Sequence, residues 1–342
     1  MVQGRLHHRW QATEASECDI GYRQSQINIE SRQNNELGIN SARYLSANKT
    51  IDHADRTVIQ MDKPLRSDTL NLSESANSEF NRKANIAVTT SPQCMKNIRL
   101  LTFNIQLGIR MDGFHQYLTR GWQHILPSSH RRDNLDCIGD LLGPFDIVAL
   151  QETDGGSLRT GYLNQVEYLA NIGEFPYWYQ QRNRNFGRFA QHGNGFLSRL
   201  TPYSVEDHKL PSMIPGRGAI VVELGDCGEP ILLVMMHLSL GLRAKNRQLA
   251  YIAEIIQGYE KVILMGDMNS NAHQLLEKSP LKHTPLMAPF YQTKTYPSWD
   301  PRMGLDHILV SPNIHVQNIE VLDCPVSDHV PIAVEIALPQ SH

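Results

Sequence analysis

The chain has 342 residues, of which 41% are hydrophobic and 20% charged, and its formal net charge is -3. That length can bury a large core in one large domain or two. The mild acidity excludes a global basic field that would draw the protein onto nucleic acid, and leaves only a local basic patch open.

Residues 1–94 are rich in Asn, Gln, Ser, Arg and Glu and poor in apolar clusters. Segments such as 67–85 are too polar to offset the entropy of ordering, so this stretch reads as a disordered leader or an unrelated small region. The other reading is a chain that starts at Met95, directly before the first good strand. No basic region followed by an apolar core marks a signal peptide. The longest apolar run, Ile231 to Met236, is strand-sized, far short of the ~20 residues that span a bilayer. The five cysteines, Cys18, Cys94, Cys137, Cys227 and Cys324, include no CxxC pair. They indicate neither a zinc site nor a disulfide framework, and an odd, dispersed set suits a reducing cytoplasm.

From Ile98 onward strands and helices alternate. Strands are expected at 98–105, 145–150, 195–200, 219–224, 231–237, 262–265, 305–310, 315–322 and 331–337. Helices are expected at 131–142, 164–172, 244–256 and 271–277, carried by sets such as Leu135, Ile138, Leu141 and Leu142 at helical spacing. The unbroken run at 262–265 fits a strand buried on both faces. The stretch FPYWYQQRNRNFGR, from Phe175 to Arg188, interleaves aromatics with arginines. It reads either as a surface that stacks bases and holds phosphates or as a half-buried strand leading into a solvated loop. Many strands with fewer helices suggest two packed sheets with helices outside.

Several strands end in polar residues that packing does not require: Asn104, Glu152, His237, Asp267, Asn269, Asp306, Asp328 and His329. Ligands of layered α/β folds bind at the carboxyl ends of strands. Each residue alone has a plain structural reading. Gly266-Asp267-Met268-Asn269 is good turn sequence, a lone Glu152 caps a turn, and Asp306 is a strand-edge charge. Alternation puts Asp267 and Asn269 on one side of their strand and His307 opposite Asp306. His192 reads as a loop residue. Asn194 is the better substrate contact of that segment, or else part of a glycine-flanked turn. Arg247, with Arg243 and Lys245, either flanks a phosphate or lies on a solvated helix face. Taken together, oxygen-rich donors without HExxH or Cys/His spacing suit a hard cation such as Mg²⁺ or Mn²⁺. Mg²⁺ held by one or two carboxylates plus substrate phosphate oxygens points to metal-assisted phosphoester hydrolysis.

The segments LTFNIQ, ALQE, GNGFLSR, MMHLSL, LMGDMN, LDHILVS and VSDHVP occur in that order between Leu101 and Pro331. The series resembles the endonuclease/exonuclease/phosphatase superfamily, which contains pancreatic-type deoxyribonucleases, abasic-site endonucleases, deadenylases, sphingomyelinases and inositol-polyphosphate phosphatases. It spans nearly all of residues 96–338 and none of the leader. The resemblance implies a four-layer α/β sandwich, two packed mixed β-sheets flanked by helices, with 95–342 as the catalytic domain. It implies that Glu152 is the principal ligand of Mg²⁺ (or Mn²⁺), that Asn104 supports the metal shell, and that Asp328 lies on or near the ion. By the same resemblance His329 contacts the scissile phosphate and is oriented by Asp306. Asp267 and Asn269 position water and phosphate, and His237 is a phosphate donor or a general acid. Asn194 and Arg247 are the candidate substrate contacts. The base is either Asp267 or the Asp306–His329 pair, and one ion or two remain open.

Gln191 stands where abasic-site endonucleases carry a tyrosine, which weakens a role in abasic DNA repair. Met268 replaces the usual aromatic of GDxN, a tolerated packing change. The leading function is a phosphodiesterase, most readily a nuclease with nucleic acid as substrate. The alternative is a phosphatase or phospholipase acting on a small phosphoester or a lipid head group. The third reading is a catalytically silent binding module on the same fold. Such a module is expected to lose Glu152, His237, Asp267 or His329, and all four are present. Nothing in the sequence indicates a protein partner.

Overall fold

In a computed structural model, residues 43–44, 50–51, 56–60, 95–110, 113, 128–213, 216–225 and 230–339 are described. Strands β1 (Arg43–Tyr44), β2 (Thr50–Ile51) and β3 (Arg56–Gln60) come from the polar leader, whose other residues lie outside the described ones. They are followed by β4 (Met95–Asn104), α1 (Ser129–Leu142), β5 (Ile147–Asp154), α2 (Gln165–Ile172), β6 (Tyr177–Asn185), β7 (Gln191–Ser198), β8 (Pro202–Lys209) and β9 (Gly218–Leu224). Then come β10 (Ile231–His237), α3 (Leu242–Ile255), β11 (Lys261–Asp267), α4 (Ala272–Lys278), β12 (Asp306–Val310), β13 (His315–Val321) and β14 (Ile332–Pro339).

Two sheets form, ordered β1-β6-β7-β5-β4-β14-β13 and β12-β11-β10-β9-β8-β3-β2. Both are mixed. β4 pairs with β5, and β10 with β11, in parallel, while β14–β4, β5–β7, β10–β9 and β11–β12 are antiparallel. Strand alternation explains the layers. Ile98 and Leu100 of β4 join Leu233 and Met235 of β10 and Ile263 and Met265 of β11 in the core between the sheets. The intervening Leu101 and Phe103 turn the other way, onto Leu135, Ile138 and Leu142 of α1 and Val166 and Leu169 of α2. Leu232, Val234, Val262 and Leu264 meet Leu249 and Ile252 of α3 and Leu275 of α4. Helices, sheet, sheet and helices therefore make the expected four-layer sandwich, each buried aliphatic side chain contributing roughly 1.5–3 kcal/mol.

Caps fix two of the helices. The Asn164 side chain accepts from the N–H groups of Val166 and Glu167 at α2, and Asn271 accepts from Gln274 at α4. Besides the short strands β1–β3 of the leader, β8 escaped the sequence pattern. In PYSVEDHK, β8, only Pro202, Val205 and His208 are buried, and the polar residues hide the alternation. Pairing with β9 holds the strand in place. The aromatic and basic stretch resolves as a strand, β6, with Trp178 and Tyr179 buried on opposite faces.

Candidate active site

The strands that build the inter-sheet core carry the site on the same face, at the ends of their apolar rows. Asn104 continues the row of Ile98 and Leu100, His237 that of Leu233 and Met235, and Asp267 that of Ile263 and Met265; Asp306 precedes Ile308 in the same way. Register then lines them up. His237 lies opposite Asp267 in the parallel β10–β11 pair, and Asp267 lies opposite Asp306 in the antiparallel β11–β12 pair. His237 Nε2 is 3.3 Å from Asp267 Oδ2. Across the sandwich, Asn104 Nδ2 donates to the same oxygen at 3.0 Å. The loop before β14 brings in His329, whose Nδ1 is 2.7 Å from Asp306 Oδ2 and whose Nε2 is 3.9 Å from Asp267 Oδ2. Tyr296 packs on that imidazole, with ring centroids 4.9 Å apart. Ser327 Oγ ties the loop to sheet one by donating to the Asn104 carbonyl at 2.7 Å.

Glu152 reaches the site differently. Alternation from Ile147 and Ala149 would put Gln151, not Glu152, on the inner face. The β5–β7 register shifts between Leu150 and Thr153, and Glu152 takes a left-handed φ of 55°. This bulge turns its carboxylate to 4.0 Å from His237 Nε2. Asn269 is not a strand residue as alternation suggested. At φ 47° it turns out of β11, its N–H donates to Asp267 Oδ1 at 2.9 Å, and its Nδ2 donates to the Leu238 carbonyl at 3.0 Å. Buried Lys245 of α3 donates to the Asn269 carbonyl and so pins this turn. His307 does point away, its Nε2 lying 2.6 Å from the Ser270 carbonyl.

Burial and crowded charge set the electrostatics. Burial pushes the Asp267 carboxyl up to about 7, and nearby Asp306 adds to the rise, while His329 and the Asn269 and Asn104 donors oppose it. Burial pushes Asp328 up to about 6, opposed by His329 and reinforced by Glu152. Burial disfavours charge on His329, but the charge and hydrogen bond of Asp306, helped by Asp267 and Asp328, overcome it and push the ring up to about 10. His237 goes the other way. Burial, then the positive charges of Arg217 and His329, hold it well below its ordinary value.

Crowded carboxylates whose protons are held by mutual repulsion and burial are a setting that a divalent cation relieves. Asp306 Oδ1 is buried without a hydrogen-bond partner among the described residues. Donor atoms of Asp267, Asp306 and His329 all lie within 4.8 Å of one another, a spacing that could hold a metal ion. Glu152 and Asp328 lie close enough for their charges to interact.

A cleft of about 830 Å³ opens from Glu152 and His237, and Asn194 and Arg247 both line it. Asn194 is buried within β7 rather than in a loop, and its Nδ2 donates to Gln181 Oε1 at 2.9 Å and to the Gly218 carbonyl at 3.1 Å. His192 also sits on β7 and lines the cleft. Its Nε2 is 2.9 Å from Arg159 Nη1, and Arg159 is fixed by Asp154 at 2.6 Å. Arg184 and Arg217 line the cleft as well. Sequence reasoning passed over Arg217. The only signal was its place just before a strand, which carries no chemistry by itself.

A family model described as the Endonuclease/Exonuclease/phosphatase family matches residues 101–329, well over half of the chain. No curated protein matches. Among solved structures, an endonuclease/exonuclease/phosphatase from Beutenbergia cavernae is similar with a TM-score of 0.54 and 16% identity, over 71% of this chain and 72% of that one. A mannosyl-6-phosphatase from Bacteroides thetaiotaomicron gives 0.51 and 19%, over 70% and 99%. A humanized TDP2 from D. rerio gives 0.51 and 15%, over 70% and 98%. At these identities the structures speak to the fold, and the sequence model to descent. The chain belongs to the Endonuclease/Exonuclease/phosphatase family.

Proposed function

We propose that the protein is a phosphoesterase that works with Mg²⁺ or Mn²⁺ and hydrolyses a phosphodiester, with a nucleic-acid strand as its leading substrate. The observation that carries this reading is the convergence of the Asp306–His329 pair, Asp267, Asn104, His237 and Glu152 from both sheets onto one short row. A silent binding module has no need to keep every one of them in reach of the others.

Glu152 and Asp328, with Asn104 behind them, would hold the ion; His329 is tied to Asp306 in its charged form and is a poor metal ligand. The bound cation would stabilise negative charge on a phosphoryl oxygen. The charged His329 ring donates to the phosphate, and Asp306 sets its orientation and tautomer. A ring held protonated cannot take a proton from water. Asp267, pushed up to about 7, is better matched to that task near neutral pH, and Asn104 and the Asn269 N–H hold its carboxylate in place. His237, held neutral, serves as a hydrogen-bond donor beside Asp267 rather than as the acid.

Purified protein with Mg²⁺, Mn²⁺ or chelator, offered duplex DNA, single strands, RNA, phospholipid, inositol phosphates and sugar phosphates, tests the reading. Chelator-sensitive cleavage of strands is expected. Turnover of a small or lipid phosphoester alone would move the substrate to the alternative class. Glu152→Ala and His329→Ala should each lower the rate by orders of magnitude, and wild-type rates in both would refute the site.

A further inference from the structure

Resting on that phosphoesterase reading, we propose that the cleft holds a second phosphoryl group of the substrate, in a subsite built by Arg217 and Arg184 with His192. The cleft of about 830 Å³ far exceeds one phosphate, and among the described residues its lining contains Arg184, Arg217, Arg243 and Arg247 against one carboxylate, Glu152. Glu152 is already assigned to the ion.

Arg217 is the anchor. Its side chain is partly buried, and its guanidinium makes no hydrogen bond or ion pair with any described residue. It feels the charges of Glu152 and Asp267 but is not joined to either. A desolvated guanidinium without a partner is costly, and an anion arriving from the cleft removes that cost. Arg184 stands beside it: a Cβ on Gly216, the residue before Arg217, would come within 3.0 Å of Arg184 Nε. The charge of Arg184 reaches Arg217, and planar forks match the oxygens of a phosphoryl group.

His192 adds a neutral donor. The Arg159 guanidinium, a donor only, lies 2.9 Å from His192 Nε2, so that nitrogen accepts and the ring proton sits on Nδ1. No described residue takes up this Nδ1–H. Asp154, which fixes Arg159, receives further hydrogen bonds from Ser157, Thr160 and the N–H of Gly156. The donor is therefore set by a rigid loop rather than by chance. The second phosphoryl group has two chemical sources: the neighbouring diester of a nucleic-acid strand, or a remote monoester on a small metabolite.

The test uses matched pairs with Mg²⁺: the dinucleotides TpT and 5′-phosphorylated pTpT, and the sugars fructose 6-phosphate and fructose 1,6-bisphosphate. In one arm wild type should prefer the doubly phosphorylated member by about tenfold or more in kcat/KM, and the arm that responds names the source. Arg217→Gln should collapse that ratio toward one; the ratio cancels any loss common to both members. No preference in either arm, or a preference that survives Arg217→Gln, overturns the subsite. Calorimetry with pyrophosphate and orthophosphate in chelator gives a readout free of catalysis. Pyrophosphate should bind wild type at least about tenfold tighter than orthophosphate, and Arg217→Gln should lose the difference; equal binding to wild type overturns the proposal. If nothing is turned over, the phosphoesterase reading fails while this measurement still decides the subsite. Should Arg217→Gln not fold, Arg184→Gln and Arg217→Lys carry the comparison, the lysine retaining charge but not the fork.

Discussion

The SDH motif and its distant LDH partner mark His329 and Asp306 as a pair, and the two side chains stand 2.7 Å apart. With the Asp306 carboxylate gone, burial is opposed only by the weaker pull of Asp267 and Asp328, so Asp306→Asn should bring the His329 pKa well down from about 10. NMR titration of the imidazole would show the drop, and activity should fall at least about a hundredfold near neutral pH. A ring that still titrates near 10 in the variant would assign its charge to other neighbours. Glu152 carries its chemistry in the ALQE string, but not the way it points. Its left-handed φ of 55° comes from a bulge that alternation cannot foresee. A side chain there costs ~1–2 kcal/mol that glycine avoids. Glu152→Gly should therefore be more stable than Glu152→Ala by about 1 kcal/mol in urea unfolding, with both inactive. Equal midpoints would mean the bulge relaxes when the carboxylate is removed.

Elements were legible where burial is one-sided or complete, and illegible where it is not. β10 and β11 announce themselves as apolar runs because helices cover one face and the other sheet covers the opposite one. β8 did not, since its sheet partners rather than its own side chains hold it. The end of β11 was blurred too: the apolar run stops at Met265 and alternation carried the strand to Asn269, whereas it continues through Gly266 and stops at Asp267. Gly266 is what allows that. It has φ 143°, and a Cβ there would lie 1.9 Å from the Met236 carbonyl oxygen of β10. Any side chain must push the two parallel strands apart where His237 meets Asp267. Gly266→Ala should lose about 2–4 kcal/mol of unfolding free energy and uncouple Asp267 from His237. Urea denaturation measures the first effect and turnover at saturating substrate the second. Wild-type values in both would show that β10 and β11 do not need this close approach.

At the scale of the molecule, each sheet owns half of the site. Sheet one supplies Asn104 and Glu152 and, through the loop entering β14, Asp328 and His329; sheet two supplies His237, Asp267 and Asp306. An ion held at this junction fastens the sheets together, so its binding must appear as stability of the whole fold. The sign with pH follows from the carboxylates. Asp328 and Asp267 are raised to about 6 and about 7 from 3.8. The native state therefore holds protons that the unfolded chain has released, and stability without metal declines as pH rises from 3.8 through that range. His329 behaves alike over a higher window: its stabilisation is complete below 6.5 and is lost as pH rises toward about 10. A cation competes with the carboxylate protons, so excess Mg²⁺ should raise Tm little at about pH 5 and several degrees more at about pH 8. Saturation at a hundred times Kd adds about 2.7 kcal/mol. Scanning calorimetry in Mg²⁺ against chelator, for wild type and Glu152→Ala, reads this directly. The increment should vanish in the variant if the ion sits where Glu152 and Asp328 meet. An increment intact without Glu152 would place the ion on Asp267, Asp306 and His329 instead and would dissolve the assignment of His329 to the phosphate, while one equal at both pH values would show that the ion displaces none of these protons.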